Sequence, residues 1–544
     1  MSPYGAESFS ADERAILKRY FTNLDGPVFA LVNLPEVVKG ALFARYSRSS
    51  KSLRRLFLDE FVGELEITGD EAVDATIGLE RAEELYERVF FEYGDDSVAQ
   101  LGGVHLACEQ ASNLLTKVLE WGRLMSYLEQ STRYIAYDDR LGGRYRYYRD
   151  PQLLASPHGA AYVGAMDSMF ATYSELLPTM LDYFKKHHPK DPADSDFVYR
   201  QAIRAKAFDS LRGLLPAAAF SNVGIYGSGQ AYEALLLRMF ASELPEANAY
   251  ATLMLEELRK VIPSFLKRVD LEDRGVAWSN YLRETARSIR THAEELSDAS
   301  SETADHTPSV VLTDFDPDGE IKTVAAALYP HSTLSDEQIE DSVRAMGTED
   351  RLAILRASIG ERGNRRHKPG RSFERCDYRF DVVSDYGAFR DLQRHRMMTI
   401  EWQQLRPNLG FEMAQTVVDA GVSSEYEAAM STSSALFERL APEFPMQASY
   451  AVALAYRIRY SMQFNAREAF HLLELRSSPQ GHPSYRSVAQ DMHTQIAEVA
   501  GHRAIAAAMT YVDHSDEPDL ERLEAERSAA RKRELAQRGS QQSL

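Results

Sequence analysis

With 544 residues, 44% hydrophobic and 26% charged, the chain exceeds one ordinary core and fits a soluble globular protein of two or more domains. Its 62 lysines and arginines against 81 aspartates and glutamates leave a net charge of −19. That excludes a general nucleic-acid binder, which needs a broad basic surface to release counterions from phosphates. Cys108 and Cys376 are its two cysteines, so no disulfide framework and no metal site are expected, and a reducing compartment suits the chain. Neither a signal-like N-terminus nor an apolar run long enough to span a bilayer is present, so a cytoplasmic protein with no membrane partner is expected.

In chain order, residues 11–88 place charges among Leu, Phe and Val at spacings of three and four, which predicts helices. The helical reading continues through residues 95–117, where Gly102, Gly103, Ala107 and Ala111 imply close helix packing. Residues 120–138, EWGRLMSYLEQSTRYIAYD, change character. An extended backbone over residues 129–133 would put Glu129, Ser131 and Arg133 on one face. That face offers an acceptor, a hydroxyl and a guanidinium fork to a phosphorylated ligand, although an edge strand with a Glu/Arg pair would read the same. The following RLGGRYRYYRD fits a surface hairpin or a ligand-covering loop.

Residues 160–269 read as helices, with Arg212 four residues before Pro216 and Arg238 in an apolar segment where a lone arginine usually snorkels or is paired. The glycines of GIYGSGQ lack the strand-then-helix setting of a dinucleotide loop. Polar, acidic, turn-rich residues from 297 to 320 mark a linker. The expected division is a first unit at 1–295, a linker at 296–320, a second unit at 321–512 opened by a strand at 321–328, and a charged tail at 513–544.

Within the second unit, residues 361–379 carry seven lysines and arginines, either a solvated face or a phosphate site. Residues 390–406, RDLQRHRMMTIEWQQLR, gather Arg390, Arg394, His395, Arg396 and Arg406 around an apolar middle. Such a cluster in an anionic chain points to an anionic small molecule. A helix through NAREAFHLLELR puts Arg467, His471 and Glu474 on one face and Asn465, Leu472 and Arg476 nearly opposite.

An internal repeat ties these stretches together. Arg123, Ser126 and Arg133 precede Arg396, Thr399 and Arg406 by a common offset of 273 residues, and helices ending in Leu-Arg recur at Arg238 and Arg476. Duplication followed by divergence explains this better than chance.

The second copy resembles the flavin-dependent thymidylate synthase signature R-H-R-x-x-S-x-N-E-x-S-x-R-Y, and NAREAFHLLELR resembles that family's N-x-R-x-x-x-[HN]-F-x-x-L-R. The resemblance implies an α+β fold of two tandem units, each mostly helical around a small antiparallel sheet. It also implies reductive methylation of dUMP to dTMP with methylenetetrahydrofolate, FAD and NADPH. Arg394, His395, Arg396, Asn465, Arg467 and His471 would bind FAD. Glu129, Ser131, Arg133, Arg212 and Arg476 would bind the nucleotide, with Arg476 and Arg394 catalytic. The first copy reads Trp121-Gly122 in place of the Arg-His pair, and the second has Trp402 and Gln404 in place of the signature glutamate and serine. Each half keeps what the other lacks, so a composite inter-domain site is expected, in a homodimer of tandem chains mimicking the family's tetramer. Asp391, where the family has glutamine, leaves open another pyrimidine nucleotide, or a non-catalytic flavin- or nucleotide-binding homologue; an unrelated helical nucleotide-binding protein is the third reading.

Overall fold

The computed structural model describes residues 4–5, 7–34, 42, 46, 49–61, 103–192, 194–299, 307–515, 523 and 527. Two four-stranded antiparallel sheets are each flanked by helices, which makes the fold α+β. β1 (Val28–Ala30), β2 (Gly103–Ser112), β3 (Met125–Glu129) and β4 (Phe220–Ser228) form one sheet in the order β1-β2-β4-β3. β5 (Ser309–Phe315), β6 (Asp377–Asp385), β7 (Met398–Trp402) and β8 (Arg457–Asn465) form the other in the order β5-β6-β8-β7. The duplication read from the sequence is therefore a duplication of topology.

Each central strand ends in a residue that caps the next helix. Ser112 caps Asn113–Leu119 and Asp385 caps Tyr386–Leu392, while Ser228 caps Gly229–Ala241 and Asn465 caps Ala466–Arg476. These side-chain oxygens satisfy N–H groups that the first helical turn leaves open. A further helix begins with proline in both copies, Pro245–Arg259 and Pro483–Glu498.

The two copies hold their strand-to-helix corners by the same bond with its partners exchanged. In the first, the Ser112 hydroxyl donates to Glu246 at 2.5 Å. In the second, the Ser484 hydroxyl donates to Asp385. The carboxylate sits on the Pro-initiated helix in one copy and on the strand end in the other.

The compact units do not follow the halves of the sequence. Unit 1 comprises Met1–Leu177, Leu214–Ala304 and Val422–Ala453; unit 2 comprises Pro178–Gly213, Asp305–Gly421 and Leu454–Leu544. The helix Asp196–Leu211 thus belongs to unit 2, and the helix Ser423–Leu440 to unit 1. Within unit 1, Tyr450 donates to the buried Glu246 at 2.8 Å, and the backbone N–H groups of Ala217 and Ala218 bond Val452 and Tyr450. Within unit 2, Ser210 and Thr416 share a 2.8 Å hydroxyl contact.

Four local expectations are corrected. Residues 103–112 form the central strand β2, not a helix. The strand is buried on both faces along most of its length, and such a run has no period that separates it from a buried helix. GIYGSGQ contributes the end of β4 and the start of the helix Gly229–Ala241. The expected opening strand at 321–328 is the helix Gly319–Leu328, in keeping with its alanine run. The expected linker at 296–320 holds the end of the helix Ala277–Ala299 and all of β5. Much of 11–88 and most of the tail lie outside the described residues. No helix among the described residues is long and apolar enough to cross a membrane.

Candidate active site in the second unit

Two short connections build the site. After the helix Tyr386–Leu392 the chain turns through Gln393, Arg394, His395 and Arg396 into β7. After β8, Asn465 Oδ1 accepts the Glu468 N–H at 2.9 Å and starts the helix that carries Glu468, His471 and Arg476.

Glu468 receives His395 Nδ1 at 2.9 Å and His471 Nδ1 at 3.2 Å. On the far side of the His395 ring, Arg476 Nε stands 2.9 Å from Nε2. A guanidinium N–H can only donate, so Nε2 accepts and the imidazole proton sits on Nδ1, aimed at Glu468. Electrostatics agree with that tautomer. Burial pushes the His395 pKa down to about 4, against the pull of the Glu468 hydrogen bond. Burial would raise Glu468, but hydrogen bonds from both imidazoles outweigh it and hold the carboxyl down to about 2. The three residues bring their ligand atoms within 4.8 Å of one another, as a cation site would. Those atoms are engaged with each other, and the Arg476 charge beside them opposes a metal ion.

Asp391 lies among three arginines. Arg394 is its paired neighbour, Arg476 Nη1 is 3.7 Å from Oδ1, and Arg212 Nη1 is 3.6 Å from Oδ2. Arg212 is only 4% exposed, and its Nη2 has no hydrogen-bond acceptor among the described residues. The space is tight: a Cβ on Gly387 would stand 3.0 Å from Arg212 Nη2 and 2.8 Å from Asp385 Oδ1.

Of the residues expected at a site, Arg212, Arg394, His395, His471 and Arg476 come together in this unit, with Asn465 acting as the helix cap. Arg467 bonds the Pro369 carbonyl at 3.1 Å and faces Glu374 at 3.5 Å. Arg396 is exposed before β7, and Arg406 bonds Gln404. In the basic island, Arg362 makes a buried two-pronged pair with Glu474 at 2.5 and 2.6 Å. Arg371, Arg375 and Arg379 pair with Glu374, Asp336 and Asp314. Glu468 was not singled out from sequence. Its signal was available, at the third position of a helix capped by asparagine and three residues before His471.

Unit 1 fills the equivalent place differently. Tyr127 donates to the Gly122 carbonyl at 2.9 Å, and a Cβ at Gly122 would stand 2.6 Å from that hydroxyl, so a side chain there would have to displace Tyr127. The Arg238 guanidinium lies 5.7 Å from the Trp121 ring centroid. Lys117 is buried with Glu120 at 2.6 Å and Glu129 at 3.4 Å. The strand stops at Glu129, and Ser131 accepts the N–H groups of Arg133 and Tyr134 in a turn. Glu129, Ser131 and Arg133 therefore do not share one strand face, as an extended 129–133 would have required. The glycines of RLGGRYRYYRD turn at positive φ, and the flanking Leu141 and Arg144 pair as a small hairpin.

A doubled four-stranded α+β unit, with an arginine- and histidine-lined site in one copy, is the class of protein that these features define. The chain belongs to the thymidylate synthase complementing protein family, whose sequence pattern matches residues 41–264 and 310–501. A UPF0159 protein of Chlamydia muridarum is 42% identical over 525 residues, 95% of this chain and 98% of its own. A second, of Thermoplasma acidophilum, is 31% identical over 515 residues, covering 90% of this chain and 97% of its own. Among solved structures, a UMP/dUMP methylase PolB from Streptomyces cacaoi bound with 5-Br dUMP aligns at 18% identity and a TM-score of 0.29, covering 37% of this chain and 95% of its own. Thymidylate Synthase X from Helicobacter pylori with FAD and dUMP aligns at 18% identity and a TM-score of 0.28, covering 37% and 99%.

Proposed function

We propose that this protein is a flavin-dependent methylating enzyme that converts dUMP, or a closely related pyrimidine nucleotide, to its 5-methyl product with methylenetetrahydrofolate, FAD and NADPH. One observation carries the reading: Arg476, engaged with a neutral His395, reaches toward the same carboxylate as Arg394 and Arg212. Three guanidiniums converge on the Asp391 carboxylate in a chain of net charge −19. The buried Arg212 also presents an N–H group that still lacks an acceptor among the described residues. Both features suit the phosphates of a nucleotide or a dinucleotide cofactor.

The flavin, when bound, supplies the hydride that completes the new methyl group, and NADPH restores it. Arg476, fixed by its bond to His395, provides a preorganised cation for negative charge developing on the pyrimidine ring. His395 stays neutral and fixed by Glu468, so it orients Arg476 without adding a competing charge. Arg394 and Arg212 hold phosphate oxygens, and His471, Arg467 and Arg396 flank the cofactor. Ser131 and Arg133 are assigned to the nucleotide phosphate by the motif they carry. Glu129, buried beside Lys117, supports that turn and makes no ligand contact in this proposal. A dimer of tandem chains in the cytoplasm belongs to the same reading.

NADPH oxidation by purified, FAD-supplied protein tests it. The expected result is oxidation that depends on dUMP together with methylenetetrahydrofolate, and formation of a 5-methylated nucleotide. Flavin binding without any nucleotide-dependent turnover would favour the non-catalytic homologue.

A further inference from the structure

In unit 2, away from the arginine cluster, His493 and His514 meet nitrogen to nitrogen. Nδ1 of His493 lies 2.9 Å from Nε2 of His514, and Nε2 of His493 lies 2.9 Å from the Ala506 carbonyl. A carbonyl oxygen only accepts, so His493 carries its proton on Nε2 and turns the lone pair of Nδ1 toward His514. In metal sites a backbone carbonyl fixes the tautomer of a ligating histidine in the same way. His493 is half-buried on the helix Pro483–Glu498, and burial pushes its pKa down, which keeps the ring neutral and its lone pair available. His514 is exposed on the strap that follows the helix Arg503–Ala508. Two bonds hold that strap beside His493: the Asp513 N–H donates to the Ser477 hydroxyl at 3.0 Å, and Gln490 donates to the Asp513 carbonyl at 2.8 Å. Glu474, Asp513 and Asp491 act electrostatically on the pair. Glu474 and Asp513 have arginine partners, whereas Asp491 has no ion pair or hydrogen bond among the described residues and leaves negative charge near His514.

We propose that His493 and His514 form a binding site for a divalent late first-row metal ion, which clips the strap to the helix Pro483–Glu498. Two nitrogen ligands at right angles around one ion, with bonds of about 2.0–2.1 Å, stand about 2.9 Å apart, and the two imidazoles already hold that separation. The ion takes the place of the shared proton: His514 shifts its Nε2 proton to Nδ1, both lone pairs then face the metal, and water fills the remaining positions. Imidazole ligands select nickel, copper or zinc over magnesium and calcium, which take oxygen. A cysteine count is silent on such a site, because it uses no thiolate. The clip is distinct from the His395, Glu468 and His471 group and rests on no part of the proposed function.

The full chain, stripped of metal by a chelator, is titrated with Ni²⁺ and with Zn²⁺ by calorimetry, and exchange of the Asp513 and Ser515 amide hydrogens is followed with and without the ion. Wild type should bind saturably, and exchange at both amides should slow at least about tenfold at saturation. His514→Ala, a change at an exposed side chain, should bind at least about tenfold more weakly and lose the slowing, with an unchanged circular dichroism spectrum. His493→Gln should do the same, and His514→Ala decides the matter if the buried change disturbs the helix. His471→Ala, the control for the other histidine–carboxylate group, should bind as wild type does. Binding that survives His514→Ala but falls in His471→Ala would place the ion in that other group and overturn the proposal. So would a wild type that binds neither ion, or binding that leaves exchange in the strap unchanged. Failure here leaves the flavin and nucleotide reading standing, and failure of that reading leaves the clip standing.

Discussion

Arg476 donates through Nε to Nε2 of His395 across 2.9 Å, and that single bond fixes the protonation of the whole histidine–carboxylate arrangement behind it. Because Nε2 is an acceptor, His395 must point its proton at Glu468, and Glu468 must be ionised to receive both imidazoles. The arginine is thereby held by a neutral acceptor.

A pH prediction follows, with a definite sign. The folded pKa of His395, about 4, lies below the ordinary histidine value, so the unfolded chain takes up this proton first. Glu468, at about 2, also binds its proton more weakly in the folded state. Both contributions are intact at neutral pH. The His395 part is lost as pH falls from about 6.5 toward 4, and the Glu468 part as it falls further, from about 4.5 toward 2. Urea unfolding across pH 7 to 4.5 should show falling stability that is shallower in His395→Gln. Nitrogen NMR shifts of His395 should report a neutral Nδ1–H ring at pH 5.5; an imidazolium there would contradict the assignment.

The Arg362–Glu474 pair offers a stability prediction. Its side chains are 4% and 1% exposed and joined by two hydrogen bonds, so removing one partner strands a buried charge. Arg362→Met alone should cost about 3–5 kcal/mol by denaturant unfolding. The double variant Arg362→Met with Glu474→Leu should recover most of that loss.

The reversed corner bond gives a third test. Ser112→Asp would set two carboxylates against each other in a buried place where Glu246 already carries a pKa raised to about 7 by burial. Adding Glu246→Ser recreates the pairing of Asp385 with Ser484. The single variant should lose about 3 kcal/mol or more, and the double should regain a large part, though Tyr450 then loses its acceptor. Additive losses would show that the two corners are not equivalent.

Much of this was legible in the sequence because it rests on local spacing. The 273-residue offset matches structure: β3 begins at Met125 and β7 at Met398, in corresponding places of their sheets. The helix after Asn465 starts where its cap demands. What spacing cannot carry is long-range placement. Arg212 belongs to the first half of the sequence yet packs in unit 2 beside Asp391, because the segment that bears it is exchanged between units. β2 was misread because a strand buried on both faces has no alternation to betray it. Glu468 was passed over as one more charge on an amphipathic helix, although it fixes both histidines.

The central claim, that the second unit holds a flavin and nucleotide site built on Arg394, His395 and Arg476, is tested most directly by titrating FAD into the full chain. Wild type should bind saturably and turn yellow, and Arg394→Ala, checked for folding by circular dichroism, should bind at least about tenfold more weakly, a loss near 1.4 kcal/mol. A wild-type protein that takes up no FAD, or an Arg394→Ala variant with unchanged affinity, would contradict it.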